Sequence, residues 1–481
     1  HGQWWTKGGG GTPWDAITYD PVTGLVYVGT ANGAPWPWWI RSPGGGANLF
    51  ISSIVALDAK TGKFRWYYQE TPGDGFDFDS TAQIMTANLV IDGKKRHVVM
   101  HAPKNGIFYL FDAATGKLLA AKPYVPSVNW ITGFTAKGRP ILNPAANYAK
   151  TDKGFYVVPS MGGAHSWYPM AFNPGTGLVY IPTNYGSFPL VAQAGAKMGN
   201  QLLSINVAKC PEGPPPQLAG AGSYLTAWDP VHMRAAWVQR KGTGHSGVMT
   251  TAGNLVFQGS GPHDFSAYRA DTGQQVWSTD TQSGIAGGSV SYMIDGVQYV
   301  AAVAGTQGFR RDYWAPTYAR LLVYKLGGSA KLAPAEAYTP PQLDPPPDFG
   351  SKALLAHGEH EYDAHCASCH GDNQKVSSLF PDLRYAGELR SAAAFDAIVI
   401  GGALQSQGMV SFRKFLAPRD ANAIRAYVVR LANQAKRSPP SRGFAGFGRC
   451  GKPAAGARRP GHDNLRRAVP SFRAVALEHI H

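Results

Sequence analysis

Cysteine is scarce in this chain, four in 481 residues, which excludes a disulfide-built scaffold and leaves no second Cys/His pair for a structural zinc site. Charged residues are also few, at 16% against 44% hydrophobic, a balance that excludes disorder over most of the length. No apolar run approaches the roughly 20 residues that a membrane-crossing helix needs, so no transmembrane segment is expected. Acidic residues are the rarer sign, 30 against 45 basic, but the excess is local: residues 436–481 hold ten Lys/Arg against two Asp/Glu. That Pro/Gly/Arg-rich tail has no recognition motif beside it, so it is expected to be solvated and disordered, and nucleic acid is not expected as a partner. The chain begins at His1, not methionine, and its true start is expected to lie upstream.

Two of the four cysteines stand in Cys366-Ala367-Ser368-Cys369-His370. Two thiols three residues apart followed at once by a histidine are what covalent attachment of a c-type haem requires. Cys366 and Cys369 would form the thioethers, and the His370 imidazole would fall beneath the iron as an axial ligand. Met409 is the sole methionine after the motif, so a His370/Met409 pair on the haem iron is the expected ligation. Ile424, Tyr427, Val428 and Leu431 recur with helical spacing behind Asp420, a predicted N-cap, and residues 392–400 predict another helix. Residues 352–435 therefore read as an all-α cytochrome c domain. Attachment of haem to this motif takes place outside the cytoplasm, so a periplasmic location is expected.

The first two thirds are different in kind. The chain as a whole, with 58 glycines and 12% aromatics, reads as β-rich and turn-rich. An Asp-x-x-Thr-Gly turn followed by tryptophan recurs: Asp58 to Gly62 leads to Trp66, and Asp271-Thr272-Gly273 leads to Trp277. Weaker copies stand at Asp20 to Gly24, Asp112 to Gly116 and Asn173 to Gly177, and a degenerate one runs from Asp229 to Trp237. Repeated antiparallel units with a tryptophan at a fixed offset predict propeller blades over residues 1–327. A Pro-rich linker is expected at 328–351, tethering the haem domain close to the propeller.

Four blocks carry a resemblance: Gly8 to Asp15, Thr30-Ala31-Asn32-Gly33-Ala34-Pro35-Trp36, Thr71 to Asp79, and Ala102-Pro103-Lys104-Asn105-Gly106. In this order they resemble the pyrroloquinoline quinone (PQQ)-dependent alcohol dehydrogenases, and with the fused cytochrome the chain is similar to the quinohaemoprotein type. The resemblance covers about residues 1–435. It implies an eight-bladed propeller, present here only in part, with PQQ and a metal near its axis. Trp14 matches the tryptophan that stacks on the quinone, Asn32 a metal-ligating amide, Asp77 a metal-ligating general base, and Lys104 the cation on the quinone oxygens. Ser166 stands where the family usually offers an asparagine near the cofactor, so it is expected to reach PQQ only through water.

The implied chemistry is consistent with these residue types. Oxidising an alcohol requires loss of its hydroxyl proton to a base such as Asp77, an acceptor polarised by a cation, and a positive group such as Lys104 beside the charge that develops. Asp79, two residues after Asp77, resembles the mark of lanthanide-dependent members, and one more hard carboxylate suits a trivalent ion better than calcium. On an extended segment the two side chains would share a face. The expected function is oxidation of small alcohols to aldehydes, with electrons passing to haem c and then to an external acceptor such as a cytochrome or blue-copper protein. The alternatives are a non-catalytic electron-transfer or binding propeller, and the same chemistry on a polymeric alcohol or sugar. Because several family blocks are absent, this chain alone is expected to bind PQQ poorly and to be inactive.

Overall fold

The computed structural model describes residues 9–148, 153–192, 210–241, 246–260, 263–305, 319–334, 342–371 and 380–437. The chain divides into two compact units, one of sheets and one of helices. Among the described residues the sheet unit holds five antiparallel sheets of three or four strands, each a meander in chain order, besides three two-stranded ribbons. The first is formed by Ile17–Asp20, Leu25–Gly29, Ser53–Asp58 and Phe64–Gln69. The second is formed by Met85–Ile91, Lys94–His101, Ile107–Asp112 and Leu118–Pro123. Ala171–Asn173, Leu178–Tyr185, Gly222–Asp229 and Arg234–Lys241 make the third. Val248–Thr251, Leu255–Gly259, Asp264–Arg269 and Gln275–Asp280 make the fourth. The fifth has three strands, Val290–Ile294, Val297–Ala304 and Arg320–Lys325.

Each sheet packs face to face on the next, as in a propeller. The second shows why its inner strands read as unbroken apolar runs. Val99, Tyr109 and Phe111 face the first sheet's Tyr27, Ile54 and Trp66, while Val98, Met100, Phe108 and Leu110 face Val179, Ile181 and Trp228 of the third. A strand covered on both faces has no position where a polar side chain is favoured.

The recurrent turn and tryptophan are two halves of one contact. Trp66 donates its indole N–H to Ala113 O at 3.1 Å, beside the second sheet's Asp112–Gly116 turn. Trp237 does the same to Ala270 O at 2.9 Å, beside the fourth sheet's turn ending at Gly273. Tyr27 and Tyr180 donate to those same two carbonyls. The glycines are required twice over. Both have positive φ (70° and 73°), and a Cβ at Gly116 or Gly273 would stand 2.4 or 2.6 Å from the neighbouring indole. The aspartate fixes the same turn from inside: Asp112 Oδ1 accepts the Thr115 N–H and hydroxyl.

In the helical unit, Lys352–His365 crosses Pro418–Arg437, with Ala392–Val399 against them. Gly358 permits the crossing, since a Cβ there would lie 2.0 Å from Ala423 O. Ser351 and Ser391 cap their helices through Leu354 and Ala394 N–H. Asp420 is not the N-cap that the sequence predicts. The helix starts at Pro418, which needs no N–H partner, and Asp420 reaches back from the first turn to accept the Ala417 N–H at 2.9 Å. Part of the expected linker is fastened to this unit, with Asn433 donating to Pro346 O and Arg390 paired to Asp344. The expected disordered tail lies outside the described residues from 438 on. Cys210 is disulfide-bonded.

Candidate active site

Three loops leave the same edge of the first and second sheets. Leu25–Gly29 runs into Thr30-Ala31-Asn32, Phe64–Gln69 into the long loop 70–82, and Lys94–His101 into Ala102-Pro103-Lys104. Within loop 70–82, Asp74 is fully buried and its Oδ1 accepts the N–H groups of Phe76 and Phe78 at 3.1 and 3.2 Å. Arg41 donates to Asp74 O at 2.6 Å and Tyr148 to Gly75 O at 2.8 Å. Phe76 and Phe78 both turn into the aromatic core, Phe78 edge-on to Trp130. The residue between them is thereby turned outward, and Asp77 takes a positive φ of 67°.

Asp77 and Asp79 do come together, though not by the strand alternation expected from their spacing. The bend at Asp77 breaks the extended path, and Lys104 gathers both carboxylates. Its ammonium lies 3.0 Å from Asp77 Oδ2 and 2.6 Å from Asp79 Oδ2, and it also donates to Asp77 O at 3.0 Å. Asp79 Oδ1 accepts the Asn32 N–H at 2.9 Å. The Asn32 amide donates through Nδ2 to Gly33 O, which leaves Oδ1 to accept. Four of the sequence-predicted site residues thus form one contiguous cluster. Gly163, at φ 80°, lets it close: a Cβ there would stand 2.4 Å from Lys104 Cγ.

The cluster is rich in buried negative charge. Burial pushes the Asp77 carboxyl up to about 7; Lys104 opposes this, and Asp79 and Asp74 add to it. Burial likewise pushes Asp74 up to about 6 against the pull of Arg41. For Lys104, burial works against the ammonium, but Asp77 and Asp79 outweigh it and hold the group above its ordinary value. A carboxyl kept near neutrality beside a fixed cation is suited to exchanging a proton with a bound hydroxyl.

Trp14 is half exposed, in the segment that joins this rim through Ala16 N–H to Thr81 O at 3.2 Å. Ser166 is half-buried in the segment that carries Gly163, next to the fully enclosed His165, whose nitrogens reach Ala102 O and Tyr168 O. A cavity of about 690 Å³ opens where the first strands of the second to fifth sheets begin, lined by Gln83, Met85, Phe172, Thr250 and Ser289 among others. Ser289 Oγ is buried there without a hydrogen-bond partner among the described residues. Asp74, Arg41 and Gly163 were not anticipated from sequence. The Gly-Asp-Gly surrounding Asp74 was the one local sign.

Among the described residues no group of three or more His, Cys, Asp and Glu side chains is placed to hold a metal ion. Asn32, Asp77 and Asp79 offer three hard oxygen donors, which fits part of the six to eight that calcium or a lanthanide takes. The raised Asp77 carboxyl marks a place where one further cation would relieve repulsion. For PQQ, which carries three carboxylates on a flat ring system, the fitting features are the broad Trp14 face and the Lys104 ammonium.

In the helical unit, Cys366 follows the Lys352–His365 helix directly, and Ala367–His370 makes one further helical turn. Cys366 and Cys369 are free thiols, the first buried and the second exposed. His370 is buried and donates Nδ1–H to Pro381 O at 2.8 Å, which fixes the tautomer and turns Nε2 into the available ligand. Met409, half-buried, packs against the cluster that holds Cys366, Leu389 and Phe395. These residues fit a covalently held haem.

Comparison with known proteins agrees on both units. The family described as glucose/ethanol/alcohol dehydrogenase, beta-propeller domain, matches residues 1–126 and 222–300, and cytochrome C oxidase, cbb3-type, subunit III, matches residues 353–428. The dehydrogenase subunit of alcohol dehydrogenase (quinone) from Komagataeibacter europaeus is 39% identical over 455 residues, 90% of this chain and 61% of the relative. Quinohemoprotein alcohol dehydrogenase ADH-IIG of Pseudomonas putida is 41% identical over 447 residues, covering 89% and 62%. The solved ADHIIG structure superposes with a TM-score of 0.77 over 90% of this chain and 65% of its own. A europium-containing methanol dehydrogenase, 31% identical, superposes at 0.56 over 64% and 53%. The chain thus spans about three-fifths of the length of the curated relatives it matches.

Proposed function

From homology to quinohaemoprotein alcohol dehydrogenases over both units, we propose that this chain is the greater part of such an enzyme, oxidising small alcohols and delivering the electrons to haem c. The observation that carries the reading is the cluster in which Lys104 holds Asp77 and Asp79 together beside Asn32, in a chain that also bears a complete haem motif. On this reading residues 1–327 are propeller, 328–351 a linker, 352–435 the cytochrome domain, and 436–481 a basic tail.

Bound PQQ would supply the two-electron acceptor and a bound cation its polarisation. Asn32, Asp77 and Asp79 would hold the cation, Trp14 would cover the flat face of the cofactor, and Ser166 would contact it through water. Asp77 takes the hydroxyl proton of the alcohol, and its partly desolvated carboxylate is the stronger base for it. Lys104 keeps Asp77 oriented and places positive charge beside the reacting centre. In the cytochrome domain Cys366 and Cys369 would hold a haem and His370 and Met409 would ligate its iron, and the haem would supply a one-electron carrier toward an external cytochrome or blue-copper protein. A periplasmic location follows from the haem chemistry.

Two features support further blades beyond the five described. The outer face of the first sheet exposes Ile17, Tyr19, Phe64 and Tyr67, and that of the fifth exposes Val290, Val303, Leu321 and Val323. Open apolar sheet faces of this kind call for a covering partner. Gly62, at the position matching Gly116 and Gly273, meets no heavy atom of the described residues within 4 Å, where an incoming tryptophan would lie. Closure into the family's eight blades would cover both faces, and without it this chain binds PQQ weakly.

Asp79 favours a lanthanide over calcium, because a trivalent ion gains more from the added carboxylate. Titration of the PQQ-loaded protein with calcium and with lanthanum tests this. Activity with lanthanum that is lost in Asp79→Ala supports it, and full activity with calcium that is indifferent to Asp79→Ala contradicts it.

A further inference from the structure

Loop 70–82 carries Asp74, Asp77 and Asp79, so whatever fixes its two ends fixes the cluster. Both ends meet at one side chain. His101 is fully buried, and its Nδ1 lies 2.9 and 3.0 Å from the two carboxylate oxygens of Glu70, itself fully buried, where the loop begins. On the opposite side of the ring, Nε2 lies 3.0 Å from Ala82 O, where the loop ends. A carbonyl oxygen accepts only, so Nε2 carries a hydrogen. The ring thus bridges the two ends of the loop, one nitrogen to each.

Other contacts hold the same end of the loop, at Glu70. Asn105 donates to Glu70 O and to Thr71 Oγ1, and Tyr109 donates to Glu70 O, so the start of the loop is held by donors from the second sheet. No Lys or Arg is paired with Glu70 among the described contacts. The strand that ends at His101 continues three residues on to Lys104, so the same clasp sets the ammonium and the loop whose carboxylates it gathers.

We propose that His101, held between the Glu70 carboxyl group and Ala82 O, is the positioning residue that closes the base of the Asp77/Asp79 loop and sets it against Lys104. Its role in metal binding rests on the reading of Asn32, Asp77 and Asp79 as cation ligands. The clasp itself does not.

Two measurements on the full chain test it. Amide hydrogen exchange in Glu70→Gln, which keeps shape and one hydrogen bond but cannot ionise, is expected to speed up at least tenfold at Asn32, Phe76 and Phe78. Exchange along Ile107–Asp112 should stay unchanged. No change at the loop, or an equal rise everywhere, would mean that the pair is ordinary core. Terbium, followed by tryptophan-sensitised luminescence, is expected to bind at least tenfold more weakly to Glu70→Gln than to the wild type, with His101→Gln at least as weak; equal affinity in all three would overturn the positioning role. If the wild type binds no terbium, the cation reading fails, and the exchange arm still decides the clasp.

Discussion

The raised Asp77 carboxyl makes the stability of the sheet unit depend on pH in a direction opposite to that of an ordinary salt-bridged aspartate. A carboxyl moved from 3.8 to about 7 holds its proton more tightly in the folded chain than in the unfolded one. Between those values the folded state binds more protons, so stability falls as pH rises from about 4 to about 7 and is level beyond. At roughly 1.4 kcal/mol per unit, the full excursion is worth about 4 kcal/mol. Asp74, pushed up to about 6, acts in the same direction over a narrower window. Asp77→Asn keeps a hydrogen bond to Lys104 but cannot ionise, so its stability relative to the wild type should rise by up to about 4 kcal/mol across this range. Urea unfolding followed by tryptophan fluorescence reads chiefly the right unit, because all the tryptophans but Trp314 fall within residues 1–308. The experiment is run in chelator, then with lanthanum, which should flatten the wild-type curve by occupying the site between the carboxylates. Parallel curves for wild type and Asp77→Asn from pH 4 to pH 8 would refute the account of a crowded carboxylate pair.

Other variants probe the remaining contacts. Gly116→Ala drives a methyl into the Trp66 ring and should cost about 2–4 kcal/mol in urea unfolding, whereas Gly62→Ala, with open space above it, should cost only the left-handed backbone term of about 1–2 kcal/mol. Trp66→Ala removes the other half of the same contact and should cost about 3–5 kcal/mol by the same measurement. In the haem-loaded protein, Met409→Leu should lower the reduction potential and let the ferrous haem bind carbon monoxide, which a six-coordinate wild type resists. A wild type that binds carbon monoxide as readily would remove Met409 from the iron.

What could be read from sequence was what is local. The Asp-x-x-Thr-Gly turns are legible because the aspartate bonds amides two and three residues on, and the haem pentapeptide is legible because one helical turn holds all its parts. The recurrent tryptophan marked blades, but its receiving glycine lies in the following sheet, 50 residues away between Trp66 and Gly116 and 36 between Trp237 and Gly273. No local pattern pairs them. Asp77 and Asp79 were picked out together, yet the reason they meet is a bend forced by the buried Phe76 and Phe78 and by Asp74, not an extended segment. Glu70 and His101, 31 residues apart, read as unremarkable polar positions until folding buries both. Asp420 was placed correctly near a helix start, and only Pro418 moved the boundary past it.

The central claim is that alcohol oxidised beside Asp77 sends its electrons to the haem on Cys366 and Cys369. The most direct measurement is the optical spectrum of the haem in the natural protein, loaded with PQQ and lanthanum or calcium, after a primary alcohol is added without any other reductant. The account predicts reduction of the haem by the alcohol, abolished in Asp77→Asn while dithionite still reduces that variant fully. A haem that stays oxidised with every alcohol, or one reduced as fast in Asp77→Asn, would contradict it.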